Sequence, residues 1–93
     1  MTPLRKEIVV KHESGLHARP AATFVKLARR FNSEIVLEKC GERVNAKSIM
    51  GVMMLAVACG ETVFLETEGP DCAEALEELG TFLAKKSRST SRA

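Results

Sequence analysis

Between Ser14 and Ala22 the chain reads Ser-Gly-Leu-His-Ala-Arg-Pro-Ala-Ala, and two of these residues could do chemistry together. His17 offers a nucleophilic nitrogen. Arg19 offers a planar fork of donors suited to phosphate oxygens. Pro20 belongs in a first helical turn, where its missing N–H would have had no intrahelical partner. Phe24, Leu27, Ala28 and Phe31 then fall at i, i+3, i+4 and i+7, the period of an amphipathic helix. His17 therefore stands at a helix mouth, beside the unpaired N–H groups of Ala18 and Arg19. Such an end carries roughly half a positive elementary charge together with free donors, so it favours anions. Gly15, Ala18, Ala21 and Ala22 are small and leave room for a bulky anion to reach the backbone. Alone, His17 would read as a capping or surface residue. In this company it points to reversible phosphorylation of histidine, with the neutral imidazole as nucleophile. The spacing does not choose the phosphoryl donor.

The elements that must hold this loop can be read from periodicity. Leu4 to Lys11 alternates in part, with Ile8 and Val10 on one face and Glu7, Val9 and Lys11 on the other, as in a strand. His12 to Leu16 is a loop in which His12 reads as a surface residue. A first helix from about Ala18 to Phe31 follows, ended by Asn32-Ser33. Lys26, Arg29 and Arg30 lie towards its C-terminal half, where cations complement the dipole; Lys26 and Arg29 are placed to steer an acidic partner. Glu34 to Lys39 alternates as a second strand, Gly41-Glu42 turns, and Arg43 to Ala46 returns as a third. Ser48 is an N-cap for a short helix from Ile49 to about Leu55. Thr62 to Thr67 is a fourth strand, with Val63 and Leu65 on one face. After the break at Gly69-Pro70, Asp71 and Glu74 resemble a capping box for a helix whose stripe is Cys72, Ala75, Leu76, Leu79 and Leu83. Four short strands with one apolar face, covered by three helices on that side, make an α+β open-faced β-sandwich in the order β-α-β-β-α-β-α.

Ninety-three residues suit one domain. We assign residues 1–86 to it and 87–93 to a flexible basic tail. Apolar residues make up 45% of the chain without Trp or Tyr, so the core is aliphatic with Phe and Met. Leu16, Ile49, Met50, Met53 and Met54 form an apolar, Met-rich set; Met54 of this set, or Val52 beside it, is a candidate for the core. No apolar run approaches the ~18 residues of a membrane span, and the N-terminus has no signal-like stretch; a cytoplasmic protein without membrane insertion is expected. A net charge of +2 is too small to imply nucleic acid, and no aromatic stacking platform accompanies the basic residues. Cys40, Cys59 and Cys72 are odd in number and widely spaced, which disfavours a disulfide framework or a metal site. They read as reduced thiols, two of them packed. No cofactor is expected.

At the quoted loop the chain resembles a known family. Gly15-Leu16-His17-Ala18-Arg19-Pro20-Ala21 is similar to the phosphorylation motif of HPr, the histidine-containing phosphocarrier of the bacterial phosphotransferase system. Lys47-Ser48-Ile49-Met50-Gly51-Val52-Met53 resembles that family's regulatory-serine segment. The resemblance implies the same fold with a four-stranded antiparallel sheet. It also implies a carrier that takes a phosphoryl group on His17 Nδ1 from the phosphohistidine of enzyme I, with Arg19 stabilising the phosphate. Sugar-specific components would be the acceptors, so the protein would be a link in a relay and not a stand-alone enzyme. Leu16, Ile49, Met50 and Met53 would meet partners beside the basic residues Lys26 and Arg29. Ser48 would be phosphorylated by HPr kinase/phosphorylase. The runner-up readings are a nitrogen-related carrier, and a docking regulator using the same fold. Family members of the second kind lack the histidine, which this chain keeps.

Overall fold

A computed structural model describes residues 3–13 and 15–85 of the chain. The element order is β1 (Leu4–Val9), α1 (Arg19–Ala28), β2 (Glu34–Lys39), β3 (Glu42–Asn45), α2 (Ile49–Met54), β4 (Thr62–Glu68) and α3 (Cys72–Ala84). The four strands form one sheet in the order β1-β4-β2-β3, antiparallel at every pairing. This is the open-faced α+β arrangement expected from the sequence. No helix among the described residues is long and apolar enough to cross a membrane.

Alternation decides which face of each strand is buried. Ile8 pairs with Val63 and Leu37 pairs with Leu65, so their side chains lie on one face, where all four are buried. Val10, Ile35, Phe24, Val52, Leu79 and Leu83 complete the core between sheet and helices. Gly80 lets α3 approach β1 closely, since a Cβ there would lie 3.3 Å from Ile8 Cδ1. On the opposite face, Arg5 and Arg43 each bridge Glu38 and Glu66 at 3.0–3.2 Å. Arg5 also lies over the Phe64 ring, 4.4 Å from its centroid. Charge pairing, and no helix, finishes this face.

Several local expectations are corrected. α1 ends at Ala28, not Phe31, because Arg30 N and Phe31 N donate three residues back, to Leu27 O and Ala28 O. Phe31 still packs in the core from that tighter turn. His12 is not on the surface: it is buried, its ring 4.6 Å from that of Phe82, and Nε2 lies 2.8 Å from the Phe82 carbonyl oxygen. Of the thiols, Cys72 alone is half-buried, whereas Cys40 and Cys59 are exposed. The expected tail at 87–93 lies outside the described residues.

Asp71 precedes α3, yet its carboxylate makes no capping bond to that helix. It accepts instead from the Ser33 hydroxyl and, at 2.9 Å, from the Asn32 amide. The chain is thereby tied across the end of the sheet, between the α1–β2 turn and the start of α3. The Ser33 donor, then the Asn32 donor, hold the Asp71 carboxyl below its ordinary value. A carboxyl so depressed contributes stability that is present above its unfolded value and lost as pH falls through the folded one. Asp71→Asn is therefore expected to lower the melting temperature at neutral pH and to flatten its decline in acid. Thermal melts across that range check it; an unaltered acid limb would show that this carboxylate does not tie the two segments.

Candidate functional site

The loop carrying His17 is held from below by backbone. Gly15 N donates to His12 O at 3.0 Å, and Leu16 N donates to Val57 O at 2.8 Å. Gly15 has φ +65°, and a Cβ there would lie 2.2 Å from Val57 O and 2.8 Å from Ala58 Cα. Only glycine tolerates both the conformation and the approach. Leu16 then drives its side chain into the core, at 1% exposure. It cannot supply the surface contact expected of it; it anchors the loop. With Leu16 fixed inward, His17, Ala18 and Arg19 are all left exposed.

Ala18 is the turning point. It takes φ 49° and ψ −111° as the N-cap of α1, with no side-chain cap, and its carbonyl accepts Ala22 N at 3.0 Å. A positive φ is unfavourable for a residue bearing a Cβ. The turn leads from His17 directly into the first residues of the helix, where Pro20 sits in the opening turn. Among the described residues, the N–H groups of Ala18 and Arg19 have no protein acceptor. Neither the His17 ring nor the Arg19 guanidinium makes an ion pair there. The arrangement is an exposed imidazole beside unspent backbone donors, a helix N-terminus and a free cation. It can accept and hold an anion that a partner brings to it.

The basic residues divide. Lys26 is exposed and follows Arg19 by seven residues, two helical turns, so it shares Arg19's face about 10 Å along α1. Arg29 donates from Nε to Lys47 O at 2.9 Å, which ties the end of α1 to the segment before α2. Ser48 caps α2 as expected: its Oγ accepts Gly51 N at 3.2 Å, and its carbonyl accepts Val52 N. α2 buries Val52 and presents Met50, Met53 and Met54, 67%, 38% and 72% exposed. Ile49 is half-buried against the core. Met54 thus belongs to the exposed set and not to the core, while Val52 is core.

An open groove of about 470 Å³ is lined by Ser33, Val36, Arg43, Val44, Asn45 and Lys47 among others, but not by His17 or Arg19. The described residues hold no group of three or more His, Cys, Asp or Glu suited to a metal ion. Sequence reasoning missed Val57, Lys39 and Glu61, which lie below the loop; no motif marks them, because they act through folding.

Fold and site together define a small α+β protein with an exposed imidazole at the N-terminus of a helix. The family model described as "PTS HPr component phosphorylation site" matches residues 4–85. Over 83 residues the chain is 54% identical to HPr-like protein Crh of Halalkalibacterium halodurans, covering 89% of this chain and 99% of that protein. It is 45% identical over 83 residues to phosphocarrier protein HPr of Cupriavidus necator, covering 89% and 93%. The crystal structure of HPr from Bacillus anthracis superposes with a TM-score of 0.88 at 47% identity, covering 89% of this chain and 99% of that one. The chain belongs to the HPr family.

The conformation of Ala18 generates a test. Glycine reaches its dihedral angles without the Cβ clash, so Ala18→Gly is expected to raise stability by about 1 kcal/mol. Urea unfolding of the two proteins measures it. A loss of stability would show that the positive φ carries no strain.

Proposed function

We propose that this chain is a phosphocarrier that receives a phosphoryl group on His17 from phosphorylated enzyme I and passes it to sugar-specific acceptors of the phosphotransferase system. One observation carries the reading: His17 is exposed at the mouth of α1 beside the unspent amides of Ala18 and Arg19. In the transfer, the neutral imidazole attacks phosphorus as the donor's phosphorus–nitrogen bond breaks, and the onward step reverses these roles. Little covalent assistance is required. Positioning and stabilisation of oxygen charge dominate such a reaction, and these are what the amides and the Arg19 guanidinium supply. Membership of the HPr family supports enzyme I as the donor.

Met50, Met53 and Met54 on α2, with Lys26 on α1, form the surface we assign to partners. Methionine is flexible and polarizable, which suits one surface that must meet a donor and several acceptors in turn. Ser48 is the proposed regulatory phosphorylation site, for HPr kinase/phosphorylase. At an N-cap the added charge is tolerated by the helix end, and beside the methionines it opposes docking.

A second reading is a docking regulator built on the same fold. It is favoured by the relatives named HPr-like protein Crh, from H. halodurans at 54% identity and from Bacillus subtilis at 48%. The discriminating feature is His17. In incubation with enzyme I and phosphoenolpyruvate, intact mass is expected to show one acid-labile phosphoryl group, lost in His17→Ala. Undiminished labelling of that variant would remove His17 from the chemistry, and an unlabelled parent would favour the regulator.

Two further outcomes separate the roles. Arg19→Ala should retain the fold but slow rapid-quench transfer by about 10-fold or more, as loss of a charge-assisted phosphate contact does. Ser48→Asp should raise KM for enzyme I with little change in kcat or melting temperature; an early melt would mean unfolding and not impaired docking.

A further inference from the structure

Beneath the His17 loop lies a clamp of two charged side chains from distant parts of the chain. Lys39, at the end of β2, directs its ammonium to three acceptors: Leu55 O at 3.1 Å, Ala56 O at 2.9 Å and Glu61 Oε1 at 2.9 Å. These match the three donors of an ammonium. Leu55 is the C-cap of α2, and no basic residue stands in the helix's own last turn. The cation that complements this helix end therefore comes from the sheet. Glu61 Oε1 also accepts Ala58 N at 2.8 Å. That amide first, and Lys39 second, hold the Glu61 carboxyl below the usual range.

The two side chains thus close over residues 55–58 from both ends. Within that segment Ala56 takes φ 54°, a conformation unfavourable for alanine unless its surroundings impose it. Val57 follows directly, buried, with its carbonyl accepting the Leu16 amide. Gly15 rests on Val57 and Ala58. Leu16 is bonded to His17 through the next peptide. Any drift of the Val57 carbonyl is transmitted to the imidazole by one hydrogen bond and one residue.

We propose that Lys39 and Glu61 are positioning residues for His17: by fixing residues 55–58 they set the Val57 carbonyl that seats Leu16, and so hold the imidazole in register with the N-terminus of α1. The proposal rests on the phosphocarrier reading of His17. Neither side chain touches the phosphoryl group; they act through backbone. Lys39→Met removes the three donors and keeps an unbranched apolar stem only one atom shorter. Glu61→Gln removes the charge but keeps an acceptor for Ala58 N, and serves as the gentler variant.

The test uses the full chain, well below its melting temperature, with enzyme I as donor. In Lys39→Met, hydrogen exchange at the Leu16 amide should quicken by about tenfold while mid-sheet amides such as Leu65 keep the parent's protection. The kcat for phosphoryl acceptance should fall by about tenfold with KM within about twofold of the parent, the pattern of a misplaced reacting group. Lys39→Arg, which retains a cation and donors, should recover most of the rate, and Glu61→Gln should fall between. Unchanged Leu16 exchange, an unchanged kcat, or a loss confined to KM would each overturn the proposal. A parent that takes no phosphoryl group would overturn the phosphocarrier reading instead, and the clamp would then stand or fall on Leu16 exchange alone.

Discussion

The hydrogen bond from Leu16 N to Val57 O, 2.8 Å long, is the contact on which the presentation of His17 depends. It joins the loop after β1 to the loop before β4, two segments separated by more than forty residues of sequence. Gly15 makes the approach sterically possible. The buried Leu16 side chain makes it favourable, since removing a leucine from water contributes on the order of 2 kcal/mol. With these two residues committed to the interior, the next three must lie outside. An exposed imidazole at a helix mouth follows from the anchoring of its neighbours.

This division recurs across the molecule. The sheet and the inner faces of the three helices are closely packed, and the charged outer face of the sheet is satisfied by Arg5, Arg43, Glu38 and Glu66 among themselves. At the start of α1 the amides of Ala18 and Arg19 have no protein acceptor among the described residues, and the large apolar side chains most exposed to solvent there belong to α2. The bond from Arg29 to Lys47 O ties these two helices together where α1 ends and the capping serine of α2 begins. Imidazole, cation and methionine surface are therefore carried by linked neighbouring elements, as our functional reading asks of a protein that engages partners without enclosing a substrate.

Ser48 is a structural cap whose position is compatible with the regulatory role our reading gives it. Its hydroxyl caps α2 through Gly51 N, and a Cβ on Gly51 would lie 3.3 Å from Val44 Cβ. The cap places the hydroxyl at the positive end of the helix and beside exposed methionines. A charge added there is acceptable to the fold and unwelcome to an apolar docking surface. That separation between stability and recognition is what our functional reading asks of a regulatory serine.

Much of this was legible from the sequence alone. Helical and strand periods placed all seven elements, and Pro20 with the small residues around His17 marked the helix mouth, because these signals arise between residues a few positions apart. The Ser48 cap was legible for the same reason. What only the tertiary structure decided are contacts between remote segments. The Asp71 carboxylate left its own helix for Asn32 and Ser33, 39 and 38 residues away. His12 became buried because Phe82, 70 residues on, supplies both a ring and a carbonyl. Leu16 turned inward because its amide is seated on Val57 O, and Met54 turned outward because α2 packs its Val52 face against α1 and β3. Lys39, an ordinary end to a strand by its sequence, became the cap of another element's helix. Periodicity records which side of an element is apolar; which neighbour arrives there is settled only when the chain closes on itself.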